Sequence, residues 1–311
     1  LNCFLIPQNK HIYFDIFLLN KYVKKNFLKK LVLVQIDSWN NNYKNPVGKV
    51  VKIIGDINDF NSELSSILFE YDLNTTFPKN VKEDAYKINP SICNKEIEKR
   101  IDFRKKPTFT IDPKDAKDFD DALSIIQLKN KNWEIGVHIA DVSHYVVEDS
   151  IIDKEAVKRA TSIYLVDRVI PMLPEIISNN ICSLIPNEDR LAYSIIFEID
   201  KKISIINYKI EKTVIHSDAR FTYNSAQNII NNKKGVFADE LILLNKLSKI
   251  LRKKRKENGS INFESTEFKF VLDENNNPTD IYLKKTIDTN NLIEEFMLLA
   301  NKTIAKFIGK K

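Results

Sequence analysis

The segment 112–121, which holds five aspartates within ten residues, constrains this chain more than any other feature. It lies between two apolar segments, 108–111 and 122–127, whose β-branched and aromatic content is typical of strands. Pro113 cannot continue a regular central strand, so we expect a loop that turns the chain back and brings the carboxylates together. Like charges held close to one another are unfavourable unless some take up protons or bind cations.

Charge balance suggests which cation. Four of the aspartates carry four negative charges, which two Mg²⁺ ions would balance: Asp112, Asp118, Asp120 and Asp121. Hard carboxylate oxygens suit Mg²⁺ or Mn²⁺, and Mg²⁺ characteristically shares its coordination shell with substrate phosphates. An EF-hand loop starting at Asp112 is excluded because Lys117 stands where such a loop needs glycine. An exposed acidic loop without any ligand stays open on composition alone.

The pattern along the chain predicts an α+β protein with more than one domain. Residues 1–58 contain four short segments of strand-like composition, typical of a small β-barrel, for which the OB-fold is the leading candidate. Residues 59–106 are interpreted as a linker and residues 107–311 as a mixed α+β domain. The strand-like segments of the whole chain are 3–6, 12–16, 31–36, 47–55, 108–111, 122–127, 133–139, 192–199, 268–272 and 281–284, and apolar periodicity predicts helices at 151–159, 238–251 and 292–308.

Composition bounds the remaining possibilities. The formal net charge of +6 is compatible with a nucleic-acid partner but does not establish one. The three cysteines, Cys3, Cys93 and Cys182, are far apart, so we expect neither a disulfide framework nor a zinc site, and a cytoplasmic location is the simplest interpretation. No apolar run is long enough to span a membrane. Because the chain lacks a starting methionine and its last helix runs almost to the end, we expect a fragment of a longer protein.

Six further motifs share one order with the aspartate segment and, together with it, resemble the ribonuclease II/ribonuclease R (RNB) family, the ribonuclease R branch most of all. The aspartate segment itself, Thr110-Ile111-Asp112 followed by Asp118-Phe119-Asp120-Asp121-Ala122, is similar to the metal-binding signature of that family. The other motifs are the segments 48–56, 100–104, 136–146, 169–175 (with Leu184 and Arg190) and 259–264, and the segment 292–297 completes the order. The resemblance covers essentially the whole chain.

The resemblance implies an N-terminal cold-shock domain followed by a truncated RNB catalytic domain. It also implies a processive, Mg²⁺-dependent exoribonuclease that degrades single-stranded RNA from a free 3′ end to nucleoside 5′-monophosphates. By motif position the four aspartates named above are the metal site and the catalytic residues. Tyr164 would stack on a base near the 3′ end, Phe263 would supply the opposing face, and Glu294 would contact the terminal ribose hydroxyls. We expect a monomer that is weakly active or inactive in isolation.

Other interpretations remain beside this one. A non-catalytic RNA-binding protein would keep the OB domain and lose the chemistry, and an endonuclease or a DNA-acting phosphodiesterase would use the same metals. His138 and His144 are interpreted as structural, since a metal-bound water needs no histidine. The basic run 252–256 either contacts phosphates or is a solvated helix end, and the helix macrodipole favours the second.

Overall fold

The computed structural model describes residues 3–19, 27–39, 44–200, 203–261, 267–274 and 277–310. The chain separates into two compact units, Leu1–Phe77 and Pro78–Lys311. Unit 1 contains strands β1 (Cys3–Leu5), β2 (Ile16–Leu18), β3 (Lys30–Ser38) and β4 (Val47–Asp56) and helix α1 (Phe60–Glu70). The sequence predicted the second strand at 12–16, and the observed strand β2 begins at the last residue of that segment.

The four strands of unit 1 form one sheet in the order β1-β2-β4-β3. Among the described residues of this unit β1 and β3 do not pair with each other, so the closed barrel expected from the sequence is not seen there. Helix α1 begins after Asp59, whose carboxylate accepts a hydrogen bond from the Ser62 amide at 2.9 Å. Because α1 packs on β3 and β4, it belongs with this sheet, whereas the sequence analysis placed residues 59–106 in a linker.

Unit 2 is a mixed α+β layer structure. Its elements are α2 (Lys79–Lys87), α3 (Asn94–Ile97), β5 (Ile101–Asp102), β6 (Thr108–Asp112), β7 (Asp121–Gln127), β8 (Trp133–Ala140), α4 (Val142–Tyr145), α5 (Ile151–Arg159), β9 (Ile163–Tyr164), β10 (Val169–Ile170), a π-helical turn (Ile177–Ile181), β11 (Asp189–Ile199), β12 (Ile205–His216), β13 (Ala219–Thr222), α6 (Tyr223–Asn232), α7 (Ala238–Glu257), β14 (Phe268–Leu272), β15 (Pro278–Leu283) and α8 (Asp288–Ile308). None of the described helices is both long enough and apolar enough to cross a membrane.

A seven-stranded sheet in the order β13-β6-β7-β8-β11-β12-β5 forms the centre of unit 2. Alternate residues of its inner strands, such as Phe109, Leu123 and Val137, face a core that α6, α7 and α8 cover. The predicted helices at 151–159, 238–251 and 292–308 all form, the last two with longer bounds. Strand β12 was not predicted, because most of its first eight residues are exposed and include polar side chains.

The opposite face of the sheet carries a buried polar network centred on His138. Its Nε2 lies 2.9 Å from Ser124 Oγ and its Nδ1 lies 2.7 Å from Ser194 Oγ, which in turn lies 2.6 Å from Thr213 Oγ1. Burial lowers the pKa of His138 to about 3, so the ring is neutral. The network joins β7, β8, β11 and β12, which agrees with a structural role for this histidine.

Candidate active site

The aspartate loop lies at one end of the seven-stranded sheet. Asp112 is the last residue of β6 and Asp121 is the first of β7, and the two strands run antiparallel with Phe109 opposite Leu123. The carbonyl of Asp120 accepts a hydrogen bond of 2.9 Å from the Ala140 amide at the end of β8. The turn that the sequence predicted therefore brings the carboxylates to a single edge of the sheet.

The segment that follows the π-helical turn anchors this loop from one side. Ser183 Oγ donates to the carbonyl of Lys117 and accepts from the amide of Phe119, both at 2.9 Å. The Leu184 amide donates to the Phe119 carbonyl at 2.9 Å. Arg190 Nε donates in turn to the Ser183 carbonyl at 2.9 Å, so the anchor is itself held in place.

Arg220 holds the loop from the other side. It lies on β13, paired in register with Thr110, and one of its guanidinium nitrogens donates to the carbonyls of Pro113 at 2.6 Å and Lys114 at 3.0 Å. The guanidinium also lies 5.4 Å from the centre of the Phe119 ring. The loop backbone is therefore fixed by charge-assisted hydrogen bonds as well as by its strands.

Burial and mutual repulsion perturb the titration of three of the aspartates. Burial raises the pKa of Asp121 to about 7, and the negative charges of Asp112 and Asp120 act in the same direction. Burial likewise raises the pKa of Asp112 to about 6, with the charges of Asp120 and Asp118 adding to it and that of Arg220 opposing it. The pKa of Asp120 is raised by burial and by the charge of Asp118. The four carboxylates thus interact with one another, as the sequence predicted.

This donor set fits a hard divalent cation. Asp112 Oδ2 is buried without a hydrogen-bond partner, which is costly unless another group satisfies it. A cation would satisfy that oxygen and offset both the burial and the mutual repulsion that raise the three pKa values. Among the residues that the structure describes, no three or more His, Cys, Asp or Glu side chains are arranged so as to hold a metal ion, so binding requires the carboxylates to rearrange.

Tyr164 lies beside the aspartates. Its hydroxyl donates to Asp118 Oδ2 at 3.3 Å, and 68% of the residue is exposed. Burial of the hydroxyl and the charge of Asp118 raise the pKa of Tyr164, so the phenol stays protonated at neutral pH. The structure therefore brings one of the three predicted RNA-binding residues to the aspartate loop.

Of the other two predicted RNA-binding residues, the structure describes Glu294 only. Glu294 lies on α8 with its side chain 49% exposed, and it accepts a hydrogen bond of 3.1 Å from Arg255. Its neighbour Glu295 is 3% exposed and accepts from the same guanidinium at 2.6 Å, so Glu295 is a packed ion-pair partner and Glu294 is the accessible carboxylate. Phe263 lies outside the described residues.

No sequence pattern pointed to Arg220 or to a role for Ser183. Arg220 is a single basic residue in a short strand that had not been predicted, and Ser183 acts on backbone groups 64 and 66 residues away in the chain. Neither residue belongs to a pattern that sequence spacing would reveal. Tyr223, whose pKa burial and the charges of Asp121 and Asp112 raise to about 12, also lies near the site without a sequence signal.

Family comparison gives an independent result. A model of the RNB domain matches residues 100–311, and a cold shock domain model matches residues 4–78. Ribonuclease R of Thermotoga maritima is 40% identical over 97% of this chain and 44% of its own length. The human exosome complex exonuclease RRP44 is also 40% identical, over 90% of this chain and 30% of its own length. The chain thus spans less than half the length of either relative.

Structural comparison agrees. The structure of Mycoplasma genitalium RNase R in complex with double-stranded RNA superposes with a TM-score of 0.89 at 27% identity. The match covers 99% of this chain and 57% of that protein. The likeness therefore extends over both units of the chain.

Proposed function

This chain belongs to the RNB family, and on that basis we propose that it acts as a 3′-to-5′ hydrolytic exoribonuclease on single-stranded RNA with a free 3′ end. The observation that carries the proposal is the aspartate loop, in which burial and mutual repulsion raise the pKa values of Asp112, Asp120 and Asp121. Perturbed, interacting carboxylates at the end of a sheet are typical of a site that binds cations. The products would be nucleoside 5′-monophosphates.

The four aspartates would hold divalent cations, Mg²⁺ or Mn²⁺. Asp112 supplies a buried carboxylate, Asp121 a half-buried one and Asp120 one at an exposed position of the loop. Asp118 contributes its charge while it accepts a hydrogen bond from the Tyr164 hydroxyl. Two such ions would balance four carboxylates and, when bound, supply an activated water and stabilise the leaving oxygen. Arg220 and Ser183 would keep the loop backbone in position while the carboxylates take up the ions.

Three residues would place the RNA. Tyr164 would stack on a base near the 3′ end, which suits a sequence-tolerant enzyme because every base has a π-face. Phe263 would cover the other side of that base. Glu294 would accept hydrogen bonds from the terminal ribose hydroxyls and so favour RNA over DNA.

We also propose that degradation is processive, that the protein acts as a monomer and that it works in the cytoplasm. The three cysteines are free, as a reducing compartment requires. The cold-shock unit would add a second set of RNA contacts and so favour processive action.

The test uses single-stranded RNA labelled at its 5′ end, with Mg²⁺ and enzyme in molar excess. The parent chain is compared with Asp120→Asn and with Asp115→Asn, a matched control that removes the same charge from an exposed position in the same loop. Because we expect the chain to be only weakly active in isolation, the excess of enzyme should give slow shortening of the labelled RNA by the parent and by the control, and none by Asp120→Asn. RNA labelled along its whole length should release nucleoside 5′-monophosphates, which a 5′-end label does not report.

Other outcomes would contradict the proposal in distinct ways. Oligonucleotide products would indicate an endonuclease, and equal degradation of DNA would remove the RNA specificity. RNA binding without degradation by any of the three proteins would favour a non-catalytic RNA-binding protein.

A further inference from the structure

A groove on the outer side of two helices in unit 2 has no role in the proposed reaction. It lies between the second half of α7 and the first turn of α8 and encloses about 410 Å³. We call it the α7–α8 groove and define it by the residues that line it and carry the argument: Lys249, Arg252, Lys253, Lys256, Asp288 and Asn291.

The cations of the groove exceed its anions. Lys249 pairs with Asp288 at 2.5 Å, and Lys253 lies 3.8 Å from Glu257, the other acidic residue of the lining. Within the described ranges no partner is recorded for the side chains of Arg252 and Lys256. The groove therefore keeps a net positive charge of two that its own residues do not neutralise.

Two buried polar atoms in the groove also lack partners. Arg252 Nε is a donor and Asn291 Oδ1 is an acceptor, and neither makes a hydrogen bond within the part of the chain that the structure describes. A buried polar atom without a partner is unfavourable, so an occupant that accepts from Arg252 and donates to Asn291 would be stabilised. An inorganic anion offers hydrogen-bond acceptors only. A ribose hydroxyl next to a phosphate offers a donor together with the acceptor oxygens of the phosphate.

The basic run 252–256 at the end of α7 contains two sets of side chains, those with partners outside the groove and those that line it. Arg255 is committed to Glu294 and Glu295, and Lys254 donates to the carbonyl of Ile203 at 2.8 Å. Arg252, Lys253 and Lys256 face the groove instead.

One wall of the groove, the first turn of α8, is linked to the aspartate loop through neighbouring residues. Thr289, in the first turn of α8, donates from Oγ1 to the carbonyl of Tyr223 at 2.9 Å. Tyr223 follows Thr222, which is the register partner of Asp112. The first turn of α8 thus lies beside the residue that adjoins the candidate active site.

We propose that the α7–α8 groove binds the sugar–phosphate backbone of RNA. Arg252 and Lys256 contact phosphate oxygens, and Asn291 Oδ1 accepts a hydrogen bond from a ribose 2′-hydroxyl. The proposal rests on the proposed RNA substrate and adds to it a second contact region that distinguishes RNA from DNA.

The experiment measures binding in EDTA, where hydrolysis is suppressed. Fluorescence anisotropy follows a short labelled oligo(A) RNA and the oligo(dA) of equal length against the parent chain, Arg252→Gln, Lys256→Gln and Asn291→Ala. Lys246→Gln is the matched control, since Lys246 is exposed on the same helix and does not line the groove. Thermal melting checks that each variant is folded.

We expect Arg252→Gln and Lys256→Gln each to weaken RNA binding about tenfold. Each should also reduce the slope of log K against log salt by roughly 0.7, the value for one phosphate contact on a single strand. Asn291→Ala should weaken RNA binding and leave DNA binding unchanged, which a merely structural role would not produce. Lys246→Gln should leave the affinity close to that of the parent.

Three results would overturn the proposal. If the parent binds RNA and the groove variants match Lys246→Gln, the groove has no part in binding, although the proposed function stands. If inorganic phosphate raises the melting temperature of the parent but not of Arg252→Gln, and RNA affinity is unchanged, the groove holds free phosphate only. If the parent itself binds no RNA, the proposed function fails and the groove proposal fails with it.

Discussion

Replacing Asp121 with asparagine should stabilise the metal-free protein at pH 8, although it removes a proposed metal ligand. Burial, together with the charges of Asp112 and Asp120, raises the pKa of Asp121 to about 7, whereas the ordinary value is 3.8. The folded protein therefore keeps a proton that the unfolded chain has released. The difference of about 3 between these pKa values corresponds to about 4 kcal/mol of unfolding free energy, lost as the pH rises from near 4 to above 7.

The asparagine side chain has no charge to bury, so the variant avoids this loss. Between pH 5 and pH 8 the unfolding free energy of Asp121→Asn should rise relative to the parent by about 2.5 kcal/mol. The assay is urea denaturation in EDTA at both pH values, followed by tryptophan fluorescence in a Trp39→Phe background, so that the signal comes from Trp133 on β8 in the same unit as the loop. Adding Mg²⁺ at pH 8 should stabilise the parent and leave the variant unchanged.

Asp115→Asn is the matched control, because Asp115 is exposed in the same loop. Its unfolding free energy should follow that of the parent at both pH values. An equal difference between Asp121→Asn and the parent at pH 5 and pH 8 would show that folding does not raise the pKa of Asp121. A control that behaves as the variant does would show that the effect does not come from the position of Asp121.

Three further predictions concern the residues around the loop and the sheet. Arg220→Lys removes the paired guanidinium contacts to the two loop carbonyls and should weaken Mn²⁺ binding about 10- to 100-fold. Electron paramagnetic resonance of free Mn²⁺ measures this affinity. An unchanged affinity would contradict the positioning role of Arg220. Glu295→Gln leaves the Arg255 charge without its buried partner and should lower the free energy of unfolding by about 3 kcal/mol in urea denaturation. Glu294→Gln, at an exposed position, should lower it by less than about 1 kcal/mol. Equal effects would show that burial does not distinguish the two glutamates. Gly136→Ala should destabilise the protein by about 1–3 kcal/mol, because a Cβ there would lie 2.4 Å from the buried His138 Nε2. An unchanged urea midpoint would mean that the side chains of the polar network move aside at little cost.

Local pattern was sufficient for the elements that bury a regular stripe or run of apolar residues. The helix at Ile151–Arg159 has the predicted bounds, and β6 to β8 lie within one residue of theirs, since each contains a continuous buried segment. Strand β12 was not predicted because most of its first eight side chains are exposed and show no apolar pattern. Its backbone pairing with β11 makes it a strand. Helix α1 was assigned to a linker because only its packing on β3 and β4 shows where it belongs.

The sequence by itself determined the aspartate loop, since five carboxylates, a proline and two apolar flanks are all local features that a turn must accommodate. The ordered motifs likewise indicated the RNB family, which the domain comparison confirmed. The tertiary structure alone decided which atoms hold and perturb that loop. Arg220 and Ser183 reach it from distant parts of the chain, and the pKa values of its aspartates depend on how far folding removes each carboxylate from water. Burial and long-range hydrogen bonds are properties of the packed chain, so no spacing of residues encodes them in advance.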